Sequence, residues 1–408
     1  GCLVGSEMCI RDRLNISKIA NKIITVAGTN GKGSTVSFLE SVLNEKKYHV
    51  GTFTSPHILR YNERIKINGI EIDDESLLET FEMIDEVRGD TTLTYFEFAT
   101  LSAFYLFSKS NLDVAVLEVG LGGRLDATNI VDSDISIITS IGIDHTEFLG
   151  NTIDSIALEK AGVMRPFKTC IYAQEKPPAA LLKYAKNKSV NLLIHNNDYR
   201  VNLGSSNWSL KSKHNTINEI PNLKMIGDYQ YNYAAASLLA LDALLPECLE
   251  DHDVIKKALS ETEISGRFQY LSKSPDIILD VAHNEDAARS LSDNIKKIGY
   301  DKIIVVLGVL ADKDVYSIVE PFSSLVDHWY IGTINSERGM NSDEIKFRIN
   351  SIYKNKLSIG TYASVTSAFN AAKYDQMKDS LLLVYGSFYT VSEALKAHLL
   401  ENKKDNAI

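Results

Sequence analysis

The sequence predicts an α/β protein built on a mostly parallel sheet with helices on both faces, followed by a second, smaller α/β domain. Short apolar runs rich in β-branched residues alternate with longer amphipathic stretches along most of the chain, which is typical of this class. A glycine-rich segment joins the first apolar run to the first amphipathic stretch. The alternation begins again after Gln269, so we expect domains over residues 14–270 and 271–408.

Composition and charge exclude several classes of function. The net charge is −10 and no long basic tract occurs, so we expect no nucleic-acid partner. No apolar run approaches the roughly 18 residues of a membrane-spanning helix, so we expect no membrane partner. Four cysteines in 408 residues do not make a disulfide framework and no secretory signal is evident, so we expect a cytoplasmic protein.

The N-terminal segment, residues 1–13, fits the α/β pattern poorly. It shows no clear hydrophobic period, does not begin with methionine and contains two of the four cysteines. We interpret it as a non-native lead-in and predict that it contributes nothing to the fold. A frayed native terminus is the alternative.

The stretch that follows predicts a phosphate-binding loop. Residues 23–27 form a short apolar run that we expect to be a buried strand, and an amphipathic helix begins near Ser34. The glycines between them let the backbone turn tightly and approach a ligand closely. Free N–H groups at the helix start favour an anion, Lys32 adds a positive charge, and the Ser34 hydroxyl suits Mg²⁺. The alternative is a glycine-rich turn with a solvated lysine.

The remaining elements follow from the same patterns. Pro56 ends the second strand, which leaves Ser55 and His57 on a loop, and an aspartate at 73 or 74 caps a helix. In the first domain we predict strands at 48–53, 113–119 and 135–143, helices at 74–88, from 94–98 to about 107, around 159–162 and at 227–245, further α and β runs at 170–173, 178–186 and 192–194, and an irregular stretch at 199–220 with room for a small hairpin. In the second domain we predict strands at 277–282, 303–308, 329–332 and 382–386, and a last helix at 391–400.

Polar side chains collect at the predicted strand ends, where open α/β sheets bind their ligands. They are Lys32, Ser34, Ser55, Glu118, His145, Asp280 and His283. Carboxylate, hydroxyl and imidazole groups around a phosphate-binding loop suit Mg²⁺. Taken singly, Glu118 could equally be a capped strand end and His145 a satisfied core histidine. We interpret His57 as an ordinary loop histidine.

Motifs along the chain resemble the dihydrofolate synthase/folylpolyglutamate synthase family, the folate branch of the Mur ligase superfamily. The matching segments lie at 28–34 (GTNGKGS), 54–57 (TSPH), 62–64 (NER), 94–97 (TYFE), 118–129 (EVGLGGRLDATN), 144–146 (DHT), 159–162 (EKAG), 266–269 (GRFQ), 280–284 (DVAHN), 307–314 (LGVLADKD) and 386–388 (GSF). The resemblance runs from about residue 16 to the C-terminus. It implies a P-loop-containing ATPase domain of Mur ligase type over residues 14–270 and a Rossmann-like glutamate ligase domain over 271–408.

The resemblance also implies a role for each matching position. The implied ATP contacts are Thr29, Asn30, Gly31, Lys32, Gly33, Ser34, Arg267, Asp280 and His283. The implied Mg²⁺ ligands are Ser55, Glu118, His145 and Lys160, the last as a carbamylated lysine. The implied pteroate pocket consists of Thr94, Tyr95, Phe96, Glu97, Leu125, Asp126 and Ala127. The implied catalytic residues are Lys32, His145 and Lys160.

The implied reaction is amide ligation driven by ATP, with Mg²⁺ as cofactor and ATP, L-glutamate, dihydropteroate and reduced folates as substrates of a monomeric enzyme. Two positions depart from the family, since Tyr233 stands where an asparagine is usual and Glu285 follows His283-Asn284 in place of proline. A monofunctional folylpolyglutamate synthase and another Mur-type ligase stay open as alternatives. A P-loop phosphotransferase or GTPase would need a guanine-specifying Asn-Lys-x-Asp motif or a base-positioning residue, which we do not find. A nucleotide-binding module without catalysis is the last alternative.

Overall fold

The computed structural model describes residues 3–354 and 356–405. It divides the chain into two compact units, one of Gly1–Lys224 with Asp228–Glu263 and one of Met225–Gly227 with Ile264–Ile408. Within the described ranges no helix combines the length and the apolar character needed to cross a bilayer.

The division between the units lies a few residues ahead of the expected boundary at 270. It falls between Glu263 and Ile264. The reason is local pairing, because the strand Gln269–Ser272 is hydrogen-bonded antiparallel to Asp276–Leu279 and therefore belongs to the second sheet.

The first unit contains a mostly parallel sheet, as predicted. The strands of the unit are β1 (Lys22–Ala27), β2 (Val50–Phe53), β3 (Ile65–Ile67), β4 (Ile70–Glu71), β5 (Val114–Glu118), β6 (Ile135–Ile138), β7 (Thr169–Tyr172), β8 (Asn191–Ile194), β9 (Tyr199–Leu203), β10 (Asn207–Ser212) and β11 (Thr216–Pro221). Eight of them form one sheet in the order β4-β3-β2-β5-β1-β6-β7-β8, in which the pairings β2–β3 and β3–β4 are antiparallel and the others are parallel. The polar stretch at 199–220 is not irregular: it forms a separate antiparallel sheet of β9, β10 and β11, which extends the small hairpin that the sequence left room for.

Helices flank this sheet and cover its strands, which explains why those strands are apolar. They are α1 (Leu3–Arg13), α2 (Lys32–Glu45), α3 (Asp74–Arg88), α4 (Tyr95–Lys109), α5 (Thr146–Leu149), α6 (Ile153–Ala161), α7 (Ala179–Asn187), α8 (Asp228–Leu244) and α9 (His252–Glu261). The strand β5 is buried along its whole length, as expected where both faces of a parallel sheet are covered. Because β2, β5, β1 and β6 run parallel, their C-terminal ends meet at one edge of the sheet, where the candidate site lies.

The prediction that residues 1–13 contribute nothing to the fold is wrong in this structure. Residues 3–13 form α1, and Ile10 is fully buried in the same apolar cluster as Phe104 and Leu117. The guanidinium of Arg11 also donates to the carbonyl of Ile130 at 3.0 Å. Burial of one isoleucine was not evident from the sequence because the segment lacks an amphipathic period. Its interpretation as a non-native lead-in stays a prediction.

The second unit is the smaller one and is again mainly parallel. Its strands are β12 (Gln269–Ser272), β13 (Asp276–Leu279), β14 (Ile303–Leu307), β15 (His328–Gly332), β16 (Ile359–Tyr362) and β17 (Leu381–Tyr385). Its helices are α10 (Glu285–Ile298), α11 (Val315–Val319), α12 (Ser342–Tyr353), α13 (Val365–Asp375) and α14 (Phe388–Asp405). The strand order is β12-β13-β17-β14-β15-β16, with only β12 antiparallel.

Candidate active site

The phosphate-binding loop lies between β1 and α2, as the sequence predicts. Gly28 has φ +154° and Gly31, which precedes the helix, has φ +88°, so both occupy conformations that favour glycine. Lys32 begins α2, and its Nζ donates to the carbonyl oxygens of Gly28 at 3.0 Å and Thr29 at 3.3 Å. The ammonium is thereby held over the loop, at the positive end of the helix.

Hydrogen bonds to the segment after β6 hold this loop in place. The N–H of Thr29 donates to the Ser140 carbonyl at 2.9 Å, and its hydroxyl accepts from the N–H of Gly142 at 3.0 Å. Asn30 donates its N–H to the Ser140 hydroxyl at 2.9 Å and accepts from the Thr139 hydroxyl at 2.6 Å. The loop is therefore preorganised by side chains that the sequence motif does not include.

We expect Gly28→Ala to distort the loop and to abolish ATP-dependent activity. A Cβ at this position would lie 1.8 Å from the Thr139 hydroxyl oxygen, so either the loop or its anchor must move. Such overpacking costs about 1–3 kcal/mol in the free energy of unfolding. Chemical denaturation and ATP titration calorimetry measure both effects.

The matched control for this variant is Gly89→Ala. Gly89 also has a positive φ, +55°, but a Cβ there would meet nothing within 4 Å. Equal losses of stability and of ATP affinity in the two variants would show that the contact with Thr139 does not constrain the loop.

Two of the predicted metal ligands meet at the ends of neighbouring strands. Glu118 is the last residue of β5 and is aligned with Val26 of β1, directly before the phosphate-binding loop. Its carboxylate is only 4% exposed and accepts the N–H of Ser55 at 3.0 Å. The register of the parallel strands thus places Glu118 and Ser55 side by side.

The donor set fits Mg²⁺ better than a metal held by protein alone. Among residues 3–354 and 356–405, no three His, Cys, Asp or Glu side chains are grouped so that they could hold a metal ion. Mg²⁺ does not require such a cage, because it keeps several waters and is commonly held by one or two carboxylates together with substrate phosphates. A buried Glu118 beside Ser55 and the phosphate-binding loop matches that requirement.

His145 and Lys160 both belong to the segment that follows β6. His145 follows β6 in a left-handed conformation, with φ +51°, and its Nε2 lies 4.0 Å from Oδ2 of Asp144. Lys160, on α6, is only 3% exposed. The pKa of its amine is lowered to about 7, first by burial and then by the positive charge of Lys32, while Asp144 and Asp126 oppose the shift. Much of this amine is therefore neutral near pH 7.

Comparison with known proteins supports the predicted family over most of the chain. The Mur ligase middle domain matches residues 26–241, and the Mur ligase glutamate ligase domain matches residues 266–388. The dihydrofolate synthase/folylpolyglutamate synthase of Escherichia coli (strain K12) is 38% identical over 390 residues, which cover 95% of this chain and 88% of that protein. The chain belongs to the dihydrofolate synthase/folylpolyglutamate synthase family.

Other members of the family extend the comparison. The Bacillus subtilis (strain 168) enzyme of that name is 31% identical, over 91% of this chain and 89% of its own length. The solved structure of E. coli FolC in complex with DHPP and ADP has a TM-score of 0.90 and 36% identity, and covers 98% of this chain and 93% of its own. The Yersinia pestis enzyme complexed with AMPPNP and Mn ion has a TM-score of 0.89 and 37% identity, and covers 97% of this chain and 93% of its own. The predicted family and fold class are confirmed.

Several residues predicted for the pteroate pocket stabilise the first unit through a helix cap or through hydrogen bonds. Thr94 and Glu97 form a reciprocal cap at the start of α4, and Glu97 is buried. Asp126 is buried and accepts the N–H of Leu121 at 2.8 Å and the hydroxyl of Thr128 at 2.6 Å. These side chains shape the backbone of the predicted pocket.

The other members of that set differ in exposure. Ala127 is buried, Phe96 is partly buried against Phe53, and Tyr95 and Leu125 are exposed, at 60% and 52%. Thr94 is exposed as well, so Thr94, Tyr95 and Leu125 are the members best placed to contact a ligand. The role of the whole set stays a prediction.

In the second unit, the predicted ATP contacts form a group of their own. The Asp280 carboxylate is buried and accepts N–H groups of Phe268 and Ala282, both at 2.8 Å. Burial raises its pKa, and the charge of Arg267 opposes the shift. The Arg267 guanidinium packs over the Phe388 ring, and its Nη1 is buried with no hydrogen-bond partner among the described residues. An unpaired buried donor of this kind suits an anionic ligand.

His283 and the residues after it complete this group. His283 Nδ1 lies 2.8 Å from the carbonyl of Val281, which fixes the ring. The departure at Glu285 has a simple account, because Asn284 caps α10 and Glu285 is its first residue. Proline and acidic residues are both favoured at that position.

Tyr233, the other departure from the family, is buried in α8 beside the phosphate-binding loop. A Cβ added to Gly31 would lie 2.2 Å from Cζ of its ring. The tyrosine therefore supports the loop from behind. Asn232 lies one helical step, about 100°, away around α8 and is partly buried.

Proposed function

We propose that this protein is an ATP- and Mg²⁺-dependent ligase that adds L-glutamate to dihydropteroate and to tetrahydrofolate. The observation that carries the proposal is that the charge of Lys32, in the phosphate-binding loop, helps to lower the pKa of buried Lys160, in a chain that belongs to this family. Buried Glu118 supports it, because it ends the strand paired with the one that leads into this loop. Among its relatives, one solved structure holds Mn, AMPPNP and L-glutamate together.

The proposed reaction has two steps. An oxygen of the acceptor carboxylate attacks the γ-phosphorus of ATP, ADP leaves, and an acyl phosphate forms. The amine of glutamate then attacks the acyl carbon, inorganic phosphate leaves, and the amine loses a proton to give the amide. Neither step needs a protein nucleophile, because positioning and charge stabilisation dominate such transfers.

Each residue of the loop region has a proposed task in this scheme. The N–H groups at the start of α2 and the ammonium of Lys32 stabilise charge on the β- and γ-phosphates. Glu118, Ser55, His145 and a carbamate on Lys160 would hold Mg²⁺, which neutralises phosphate charge when bound. Asp144, for which the sequence indicated no separate role, is one of two acids whose charge acts on Lys160. Arg267, Asp280 and His283 remain proposed nucleotide contacts.

Phosphate release tests this function and its alternatives. With ATP and Mg²⁺ present, release should require both glutamate and a folate acceptor, and it should occur with dihydropteroate and with tetrahydrofolate. Release with tetrahydrofolate alone would leave a monofunctional folylpolyglutamate synthase. Release that does not depend on glutamate would favour a P-loop phosphotransferase, and binding of ATP without release would favour a non-catalytic module.

The state and location of the protein also belong to the proposal. We infer a monomer in the cytoplasm, with small-molecule substrates and neither a nucleic-acid nor a membrane partner. The acidic net charge of −10 supports the proposal that no nucleic acid binds. Sedimentation velocity at working concentration should give a single species of the monomer mass, 45.3 kDa.

A further inference from the structure

A buried arginine next to the predicted pteroate pocket has no acidic partner. Arg64 ends a short 3₁₀ helix at Tyr61–Arg64 and is only 6% exposed. Its neighbours Arg60 and Lys66 each pair with a carboxylate, but Arg64 forms no ion pair with an Asp or Glu of the described residues. A buried charge without a counter-charge is costly. Arg64 thus carries a buried positive charge that no carboxylate of the described residues neutralises, and a bound anion would offset this cost.

Three side chains fix the guanidinium in one orientation. Its Nε donates to Nδ1 of His57 at 2.9 Å, so His57, which lies on a loop as the sequence indicated, anchors the guanidinium. Its carbon Cζ lies 5.6 Å from the ring centre of Tyr61 and 5.2 Å from that of Tyr95. Stacking on aromatic rings and an anchored Nε leave the two terminal nitrogens to act together.

The two terminal nitrogens of Arg64 are open to a ligand. Neither makes a hydrogen bond within the described chain, and neither is among its buried unpaired polar atoms, so both reach solvent. Two parallel N–H groups on a planar guanidinium match the two oxygens of a carboxylate.

The glutamates near Arg64 already accept hydrogen bonds from backbone N–H groups. The carboxylate of Glu63 accepts the N–H groups of residues 58, 59 and 60, each at 2.7 Å. The carboxylate of Glu97 caps Thr94 at the start of α4. Neither can turn towards Arg64 without leaving backbone donors unpaired, so an internal ion pair would destabilise the loop.

Arg64 also lies close to the proposed site of phosphoryl transfer. Its carbonyl accepts the N–H of Thr54 at 2.9 Å, and the next residue, Ser55, donates to Glu118. The guanidinium extends from there to Tyr95, an exposed residue of the predicted pteroate pocket. An acceptor that extends from Tyr95 to a reacting carboxylate near Glu118 would therefore lie alongside this guanidinium.

We propose that Arg64 binds the α-carboxylate of a glutamyl folate acceptor. This inference rests on the proposed function and refines it. Dihydropteroate has one carboxylate, which is the reacting group, whereas tetrahydrofolate has a reacting γ-carboxylate and a second, α-carboxylate that does not react. A guanidinium paired with the reacting oxygen would weaken it as a nucleophile, so the non-reacting carboxylate is the better partner.

Steady-state kinetics of Arg64→Gln with both acceptors test this assignment. The loss of kcat/KM should be at least ~10-fold larger for tetrahydrofolate than for dihydropteroate, and it should reside in KM, as expected for one lost charge-assisted hydrogen bond. Tetrahydrofolate carrying an α-carboxamide should be a poor acceptor for the unmodified enzyme, and the variant should lose little further with it. Arg64→Lys, which keeps the charge, should recover part of the loss.

Arg60→Gln is the matched control, since Arg60 lies in the same segment but is exposed and paired with Asp74. It should treat the two acceptors alike. Equal losses with both acceptors in Arg64→Gln, or an equally large loss with the α-carboxamide, would overturn the assignment. Because each comparison is a ratio within one variant, partial unfolding cancels. An unmodified protein that ligates neither acceptor would instead contradict the proposed function itself.

Discussion

Replacing Glu118 with glutamine should abolish ligation while the fold remains intact. The amide oxygen of glutamine can still accept the N–H of Ser55, so the contact at the end of β5 survives. The negative charge is lost, and with it the proposed anchor for Mg²⁺. We expect kcat to fall by roughly 10²–10³-fold or more, comparable to removal of a group that stabilises the transition state. Phosphate release at saturating Mg²⁺ and thermal melting measure the two effects.

Glu147→Gln is the control for this variant. Glu147 is an exposed carboxylate on α5, close in sequence to His145, and its replacement should leave turnover unchanged. His145→Ala should resemble the Glu118 variant. Near-normal turnover of Glu118→Gln at saturating Mg²⁺ would show that this carboxylate is not a required ligand.

Replacing Lys160 with alanine should inactivate the enzyme, and a short carboxylic acid should restore part of the activity. As an ammonium, Lys160 would repel Mg²⁺, whereas a carbamate on its Nζ is anionic. The carbamate forms when the neutral amine attacks CO₂ and loses a proton. Burial and the charge of Lys32 lower the pKa of the amine to about 7, which makes the neutral form accessible at physiological pH.

The pH dependence follows from the direction of that shift. Above pH 7 the amine is mainly neutral and can react with CO₂, while below pH 7 it is mainly an ammonium and cannot. Activity of the unmodified enzyme should therefore fall as pH decreases through about 7, and added bicarbonate should oppose the fall. Full activity of Lys160→Arg, which keeps a positive charge but cannot form a carbamate, would contradict the carbamate proposal.

The sequence could predict those features that depend only on residues close together along the chain. A strand, closely spaced glycines, Lys32 and a helix start follow one another without interruption, so the phosphate-binding loop needs no knowledge of the rest of the fold. Glu118 and Ser55 were found separately, but parallel strands bring their C-terminal ends to one edge, which predicts that such residues meet. Their contact at 3.0 Å follows from that rule.

Other features depend on contacts between distant segments. Asp144 matters because α6 brings Lys160 towards it, and Arg64 because α4 brings Tyr95 against it. No sequence pattern predicts that Lys160 comes close to Asp144 or that Tyr95 packs against Arg64. The cap formed by Thr94 and Glu97 is different, since Thr-x-x-Glu before an apolar run is a recognisable helix start. The helix was predicted to start at this segment, but the capping role of the two side chains was not, and they were assigned only to the ligand pocket.

The acyl-phosphate route, which is central to the account, is tested most directly with dihydropteroate labelled with ¹⁸O in its carboxylate. Attack by that carboxylate on ATP and later loss of phosphate must carry one carboxylate oxygen into the released phosphate. Mass spectrometry of phosphate from reactions with ATP, Mg²⁺ and glutamate should therefore show one ¹⁸O atom for each amide bond formed. Amide formation accompanied by unlabelled phosphate would contradict the proposed mechanism.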